Sequence, residues 1–313
     1  MYVNYKFGKE SIFMKKNDSN KSEKSFSSSS INWYPGHMVK TKRKIQETLN
    51  LIDVVVELLD ARIPIASKNP DIDDLIGNKN RVIVLNKCDL ANDEENKKWV
   101  KYYNNLGMKC ILVDSTTGKG IKEVIEAVYE LNKEKNDKLI KSGVVNKSIK
   151  LAIVGIPNVG KSSFINKLVN KNIVKVGNRP GVTTSNQWVR VNKDILLLDT
   201  PGVLWPKFEE EIGLKLCFTG CIKDEIIDIE TISYDLIELL AKDYKKMLYD
   251  RYKLEDFEYE ETMELLDKIA QKRGCIISGG RIDYTKLGHL ILDEFQVGKI
   301  GKITLEKVDE INV

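Results

Sequence analysis

The stretch that most constrains the fold of this chain occupies residues 155–162 and reads Gly-Ile-Pro-Asn-Val-Gly-Lys-Ser. It matches G-x-x-x-x-G-K-[ST], the pattern of a phosphate-binding loop between a strand and a helix. The flanks fit, because residues 151–154 form an apolar run of buried-strand type and Phe164, Ile165 and Leu168 recur at helical spacing. A chance glycine-containing turn would not have both flanks. The stretch therefore predicts an α/β fold.

The loop brings together three kinds of group that hold phosphates. Its glycines let backbone N–H groups converge on a β-phosphate at the positive end of the following helix. Lys161 neutralises charge on the β- and γ-phosphates, which also gives it a catalytic role, and the Ser162 hydroxyl ligates Mg²⁺. The predicted phosphate-binding residues are Asn158, Val159, Gly160, Lys161, Ser162 and Ser163.

The composition favours a globular protein of about two domains. Of the 313 residues, 31% are charged and 42% are hydrophobic, and the formal net charge is +4. A mildly basic balance is compatible with contact to nucleic acid or to a ribosome. No apolar run approaches the roughly 18 residues that a membrane span needs. We expect no membrane span.

The cysteines indicate a reducing, cytosol-like compartment, and we expect a cytoplasmic protein. Their number is odd and they are scattered through apolar runs, which suits free thiols. They are Cys88, Cys110, Cys217, Cys221 and Cys275. Cys217 and Cys221 can be read as half of a metal site, but no second pair stands at zinc-ligand spacing. Core packing on one helix face is the favoured interpretation.

Residues 1–30 are rich in Ser, Lys and Asn, which predicts a disordered extension. An organellar transit peptide is disfavoured because the stretch lacks Arg and carries acidic residues, and Met14 is an alternative start. We expect order to begin at residues 31–38, which read Ile-Asn-Trp-Tyr-Pro-Gly-His-Met. A predicted helix over residues 39–50 then carries four cations in its first turns. They either bind an external anion or form a solvated face.

Residues 86–89, Asn-Lys-Cys-Asp, follow the second of three apolar runs, 54–59, 81–85 and 110–113, that predict parallel strands. Ligands of such sheets lie at the carboxyl ends of the strands. The Asp89 carboxylate can accept hydrogen bonds from N1–H and the 2-amino group of guanine, Asn86 supports the O6 side, and the stem of Lys87 covers the base. Adenine would leave Asp89 unpaired. The motif resembles the guanine-reading motif of the GTPases.

Further segments resemble other GTPase loops. Ser115 and Thr116, with Thr117 after them, resemble the second base-contacting loop, although GTPases usually have Ala in place of Thr116. Residues 177–184 lack periodicity and fit a switch loop, in which Thr183, or else Thr184, supplies a second hydroxyl to Mg²⁺; the usual Gly-x-Thr spacing favours Thr183.

An Asp-x-x-Gly segment, Asp199-Thr200-Pro201-Gly202, follows the apolar run 195–198. The resemblance implies that Asp199 holds Mg²⁺ through water and that the Gly202 N–H bonds the γ-phosphate.

The order of the motifs is itself informative, because the guanine-reading loops precede the phosphate-binding loop. The chain thus resembles a circularly permuted GTPase, with the chain cut after the Asp-x-x-Gly segment. Together with the Pro-Gly-His-Met segment, residues 60–64 (Asp-Ala-Arg-Ile-Pro) and residues 201–206, this order resembles the ribosome biogenesis GTPase A family. The resemblance covers residue 31 onward. It implies a bacterial factor of late large-subunit assembly, with mitochondrial relatives.

The predicted architecture is a disordered extension (1–30), a circularly permuted α/β GTPase domain with a mostly parallel sheet and helices on both faces (31–206), and a small all-α domain (207–313). Amphipathic spacing predicts helices over residues 232–240, 263–270 and 284–295. The resemblance implies that this last domain contacts RNA. Candidate phosphate contacts are Lys272, Arg273, Arg281, Lys286, Lys299 and Lys302. We expect His289, on an apolar helical stretch, to be structural.

The predicted function is GTP hydrolysis, stimulated by the assembling large subunit and its rRNA, by a protein that is monomeric away from it. Alternatives are an RNA-binding switch controlled by guanine nucleotide with incidental hydrolysis, and a mitochondrial ribosome-assembly GTPase; a P-loop kinase or metabolic triphosphatase is disfavoured by the guanine motif. The resemblance further implies that Asn158 holds K⁺. Val203 replaces the glutamine that orients water in Ras-like enzymes, which makes His37 the candidate water-positioning residue.

Overall fold

A six-stranded sheet lies at the centre of the fold. The structure is a computed structural model that describes residues 49–143, 148–170, 187–199, 209–222, 227–255 and 257–311, with only the backbone of Gln187 and Asp199. The strands are β1 (Val54–Asp60), β2 (Asn80–Asn86), β3 (Lys109–Val113), β4 (Ile149–Val154), β5 (Gln187–Arg190) and β6 (Ile195–Asp199). Their order is β3-β2-β1-β4-β6-β5, and all neighbours are parallel except the edge pair β5 and β6.

The helices of the described chain divide into two sets. Those between the strands are α1 (Ile72–Ile76), α2 (Asp93–Asn105), α3 (Ile121–Lys141) and α4 (Lys161–Val169). Those after the sheet, here called the C-terminal helices, are α5 (Glu210–Phe218), α6 (Ile229–Asp243), α7 (Lys245–Tyr252), α8 (Thr262–Arg273) and α9 (Tyr284–Gln296). Several begin at side-chain caps; Asp228, for example, accepts hydrogen bonds from the amides of Glu230 and Thr231. None of the described helices is long and apolar enough to cross a bilayer.

Side chains of β1 alternate between the two faces of the sheet. Val56 and Leu58 pack with residues of α3 and α4, whereas Val55 packs with α1 and Leu59 with α2. All four are fully buried, and burying one such aliphatic side chain contributes about 1.5–3 kcal/mol. Helices therefore cover both faces of a mostly parallel sheet, as the sequence predicts.

The C-terminal helices build a second apolar cluster around Leu236, Ile269 and Ile291. The two clusters meet at α5, where Leu216 and Cys217 pack against the core of the sheet and Phe218 packs into the helical cluster. The C-terminal helices are thus seated directly on the sheet.

A segment after α9, residues 303–306, then returns to the sheet. The amide of Leu305 donates to Arg62 O (2.8 Å), and the Glu306 carboxylate accepts from the amides of Ile65 (2.7 Å) and Ala66 (3.1 Å). The Trp99 indole donates to Glu306 O at 2.8 Å. This returning segment fixes the loop that follows β1.

The predicted strands and helices are found within a few residues of their predicted bounds. Cys217 and Cys221 are buried in the apolar core as predicted, but Cys221 lies beyond the end of α5, so the two do not share one helix face. The described residues contain no cluster of three potential metal ligands. His289 is exposed on α9, so it takes no part in the core. The predicted disordered extension, the Pro-Gly-His-Met segment and most of the helix predicted over residues 39–50 lie outside the described residues.

Candidate nucleotide-binding site

The predicted nucleotide loops converge at the side of the sheet formed by the carboxyl ends of the parallel strands. The order of the strands reverses between β1 and β4, and in open α/β sheets ligands bind beside such a switch point, at the carboxyl ends of the strands. The phosphate-binding loop leaves β4, the guanine-reading loop leaves β2, and the second base-contacting loop leaves β3. The permuted chain order therefore does not prevent the motifs from meeting.

The phosphate-binding loop is tightly fitted to its neighbours. Gly155 and Gly160 have φ values of 157° and 100°, and a Cβ at Gly160 would lie 2.3 Å from Asn86 Nδ2. The Lys161 ammonium donates to the carbonyls of Gly155 (2.9 Å) and Ile156 (2.7 Å), which folds its chain back over the loop. Ser162 and Ser163 stand in the first turn of α4, where a helix N-terminus favours an anion.

Asn86 fastens the base-reading and phosphate-reading loops together. This side chain is 1% exposed, its Nδ2 donates to Val159 O at 2.8 Å, and its Oδ1 accepts from the Ser115 hydroxyl at 2.6 Å. Lys87, with φ 58°, donates to Asn158 O at 2.9 Å. Asn86 and Ser115 thus bind other loops in this structure, which gives them a positioning part that the motif pattern did not specify.

The residues predicted to read guanine lie in the loops that follow β2 and β3. Asp89 is exposed at the turn, and desolvation, reinforced by the Asp114 and Asp60 carboxylates, raises its pKa. Two hydrogen bonds donated by guanine would favour its ionised form. Asp114 accepts from the amides of Thr116 (2.7 Å) and Thr117 (3.2 Å), which bends the second base loop over the same edge.

A GTPase family implies Mg²⁺, and the donors at this edge suit it. Ser162 follows β4 and Asp199 ends β6, two neighbouring parallel strands in which Ile153 pairs with Asp199. A hydroxyl and a carboxylate are the hard oxygen ligands that Mg²⁺ takes together with waters and phosphates. Thr183, Gly202, Val203 and the side chain of Asp199 lie outside the described residues, so their predicted roles stay predictions.

Sequence reasoning gave no role to Asp60 and Arg62, which the structure brings to the site. The Asp60 carboxylate accepts from Arg62 Nη2 at 2.8 Å and from Lys87 Nζ at 2.9 Å, and Asp60 and Arg62 are 0% and 1% exposed. Burial by itself raises the pKa of Asp60, but the charges of Arg62 and Lys87 outweigh it and hold that pKa well below its usual value. The available signal was an acid and a base at the end of an otherwise apolar strand.

Two of the candidate phosphate contacts are occupied by carboxylates. Lys302 pairs with Asp93 at 2.8 Å, and Arg273 pairs with Glu294 at 2.7 Å. Glu294 also pairs with Arg251, so it carries two guanidinium groups. Lys272, Arg281, Lys286 and Lys299 are exposed.

Comparison with protein families agrees with the geometry of the site. Residues 150–269 match the family described as 50S ribosome-binding GTPase, and residues 76–209 match the family described as RsgA GTPase. The two matches together contain the base-reading and phosphate-binding loops.

Similar proteins cover nearly the whole chain. Ribosome biogenesis GTPase A of Bacillus cereus is 48% identical over 281 residues, which are 90% of this chain and 95% of that protein. Mitochondrial GTPase 1 of Schizosaccharomyces pombe is 31% identical over 89% of this chain and 90% of its own length. A crystal structure of GNP-bound YlqF from T. maritima, 28% identical, has a TM-score of 0.65 and covers 87% of this chain and 100% of that one. The similarity extends over the sheet and the C-terminal helices alike.

Proposed function

The chain belongs to the ribosome biogenesis GTPase A family, and from that premise we propose that it hydrolyses GTP during late assembly of the large ribosomal subunit. Membership makes it a GTP hydrolase of ribosome biogenesis. The observation that carries the proposal is the contact between the two loops, in which Asn86 donates to Val159 O at 2.8 Å. This contact supports a single site for guanine recognition and phosphate binding. The family description that names the 50S particle supports the large subunit as the partner.

We further propose that the C-terminal helices contact ribosomal RNA. Support comes from a hairpin between α8 and α9, in which Ile276 pairs with Ile282 and the turn carries Arg281. Ile276 and Ile277 are 39% and 43% exposed, so the hairpin presents apolar as well as charged side chains at the surface. Cations flank the hairpin at Lys272 and Lys286. Such side chains neutralise RNA phosphates.

Val203, the residue after the Asp-x-x-Gly segment, is the reason to expect that the large-subunit precursor stimulates GTP hydrolysis. Valine has no polar atom that orients water, so Val203 cannot do what a glutamine does there. We propose that His37 supplies this function when RNA positions its segment; both residues lie outside the described part of the chain. Imidazole has a pKa near the operating pH and can hold the attacking water. Slow turnover of the isolated protein follows.

Two further parts of the proposed function are a bound K⁺ and the location of the protein in the cell. Asn158 stands in the phosphate-binding loop, where its side-chain oxygen can bind K⁺ beside the β- and γ-phosphates. Bacterial relatives that act in ribosome biogenesis support a cytoplasmic location, and the S. pombe relative supports a mitochondrial one as the alternative. We propose a monomer away from the ribosome.

The deciding experiment is single-turnover GTP hydrolysis with and without saturating large-subunit precursors. We expect acceleration by the particle, and we expect His37→Ala to keep GTP binding while losing on the order of 100-fold of the stimulated rate. Wild-type stimulation in His37→Ala would make His37 structural. No acceleration at all would contradict the stimulated GTPase and favour a switch with incidental hydrolysis.

Docking is tested separately by sedimentation with the precursor particles in the presence of a non-hydrolysable GTP analogue. Lys272→Glu combined with Arg281→Glu should reduce co-sedimentation because each change reverses a charge that faces RNA. Lys133→Glu combined with Lys138→Glu, at two exposed lysines on α3, is the matched control with the same change of net charge and should co-sediment normally. Equal loss in the control would mean that net charge alone governs docking.

A further inference from the structure

We propose that Arg62 and Asp60 are positioning residues that couple guanine-nucleotide binding to the seating of the C-terminal helices on the sheet. The inference rests on contacts at the nucleotide site and does not depend on a ribosomal partner. Three sets of contacts carry it: those of Asp60 with the guanine-reading loop, those of Arg62 with two helix ends, and that of Asn158 with the end of α5.

On the nucleotide side, Asp60 holds the lysine that covers the base. Its carboxylate receives hydrogen bonds from Arg62 Nε (3.0 Å) and Nη2 (2.8 Å), and from Lys87 Nζ (2.9 Å). The same Lys87 ammonium donates to Asn158 O in the phosphate-binding loop. Because these two contacts hold the Lys87 ammonium, the aliphatic stem between it and the backbone is held in one position. Losing the Asp60 contact would release that stem.

On the helical side, Arg62 lies where two helices end. Its Nη2 is 3.4 Å from Thr219 O, at the C-cap of α5, and its Nη1 is 3.4 Å from Gln296 O, at the last residue of α9. The guanidinium carbon also lies 5.6 Å from the centre of the Phe295 ring. These distances are longer than the best hydrogen bonds, so the attraction is mainly that of a cation to two negative helix ends and a ring face.

A second contact joins the phosphate-binding loop to the same helix end. Asn158 Nδ2 donates to Gly220 O at 2.8 Å, one residue beyond Thr219. Gly220 has φ 74°, and a Cβ there would lie 2.8 Å from Gln296 Oε1, so only glycine lets the ends of α5 and α9 approach this closely. The guanine-reading loop and the phosphate-binding loop therefore both reach the C-terminal end of α5.

Because this cluster is buried, the C-terminal helices cannot shift without disturbing the contacts of Arg62. Arg62 is 1% exposed, so a shift of the C-terminal helices would leave a buried guanidinium without two carbonyls and a ring. The guanidinium would then move toward water and take its hydrogen bonds away from Asp60. Coupling is reciprocal, so a nucleotide that orders Lys87 and Asp60 also favours the seated arrangement of the helices. Loss of the bound nucleotide is thereby communicated to the C-terminal helices through side chains.

The test is the dissociation constant of fluorescent GDP for the full chain at fixed Mg²⁺ and K⁺. Arg62→Gln should weaken binding on the order of 10-fold, within the range typical of coupled sites. Arg62→Lys keeps the charge but loses the bidentate contact, and Phe295→Leu removes the ring from the helical side; both should weaken binding by about threefold or more. Lys245→Met is the matched control, because Lys245 is an exposed cation of the C-terminal helices that lies over the Tyr249 ring (5.1 Å), away from Asp60 and Lys87. It should bind GDP within about twofold of wild type.

A double-mutant cycle separates positioning from general loosening of the fold. If Arg62 acts through Lys87, the effect of Arg62→Gln should disappear in a Lys87→Ala background. Persistence of the full effect in that background overturns the proposal. Unchanged GDP affinity in both Arg62→Lys and Phe295→Leu, or an equal loss in Lys245→Met, overturns it as well.

Discussion

Replacing Gly160 with alanine should damage nucleotide binding through Asn86. The added Cβ would lie 2.3 Å from Asn86 Nδ2, far inside van der Waals contact, at a residue with φ 100°. Asn86 must then leave its position, which breaks its bonds to Val159 O and to the Ser115 hydroxyl. The two loops would no longer be held together, although Asp89, Lys161 and Ser162 are unchanged.

The magnitude follows from these contacts. Each lost hydrogen bond of a buried amide is worth about 1–1.5 kcal/mol net, so the two loops lose roughly 3 kcal/mol of mutual alignment. Since 1.4 kcal/mol is about tenfold in an equilibrium constant, GDP affinity should fall on the order of 100-fold. The free energy of unfolding should also fall, by those bonds plus about 1–2 kcal/mol for a Cβ in a left-handed conformation.

The assay is fluorescent-GDP titration together with urea unfolding, and Gly107→Ala is the matched control. Gly107 has φ 76°, and nothing lies within 4 Å of the position that an added Cβ would take, so its substitution adds backbone strain without a clash. It should lose about 1–2 kcal/mol of stability and keep its GDP affinity. GDP binding by Gly160→Ala within about threefold of wild type would refute the argument that Asn86 aligns the two loops.

Three further outcomes are expected. Asp89→Asn should weaken GTP and favour xanthosine triphosphate, whose 2-oxo group accepts from an amide; unchanged GTP affinity in a folded variant removes Asp89 from the site. Hydrolysis should be faster in KCl than in NaCl at equal ionic strength, and the difference should vanish in Asn158→Ala; equal wild-type rates would contradict a K⁺ site. Burial, with Glu238 and Glu210 nearby, raises the pKa of Asp235 from 3.8 to about 6. The native state therefore binds this proton more tightly than the unfolded state, and stability is lost as the pH rises from about 4 to about 6. Asp235→Asn should recover about 1–2 kcal/mol at pH 8, after a discount for partial exposure, and little at pH 4; equal gains in urea unfolding at both values would rule out titration of Asp235.

Local patterns predicted the strand, loop and helix around the phosphate-binding loop because each piece is set by neighbours in sequence. The spacing from Gly155 to Ser162 requires a strand before it and a helix after it. The same is true of Asn86 and Asp89 at the end of β2. For His289 a local signal existed: it stands two residues after Leu287 and two before Ile291, so it falls off the buried stripe of α9.

The contacts of Arg62 with the two helix ends had no local signal, because these partners are remote in the chain. Arg62 reaches the carbonyl of Gln296, 234 residues away, and no pattern of spacing specifies such a contact. The same reason explains why Lys302 was predicted to bind phosphate, since its carboxylate partner Asp93 is 209 residues away. Sequence patterns identify which groups carry charge, whereas tertiary packing decides which of them are already neutralised.

Because residues 303–306 are synthesised late, the loop that follows β1 cannot make all of its contacts until translation is almost finished. The Ile65 amide and the Glu306 carboxylate that receives its hydrogen bond are 241 residues apart. At roughly 5–20 residues per second, a translating ribosome exposes that amide about 12–48 seconds before its partner exists. For most of this interval Asp60, at the end of β1, and Arg62, in the loop after it, lack both the helix ends and the returning segment. A nascent chain therefore has its guanine-reading motif long before it has the complete surroundings of the guanine site, and nucleotide binding should reach its full affinity only after nearly all of the described chain has been synthesised.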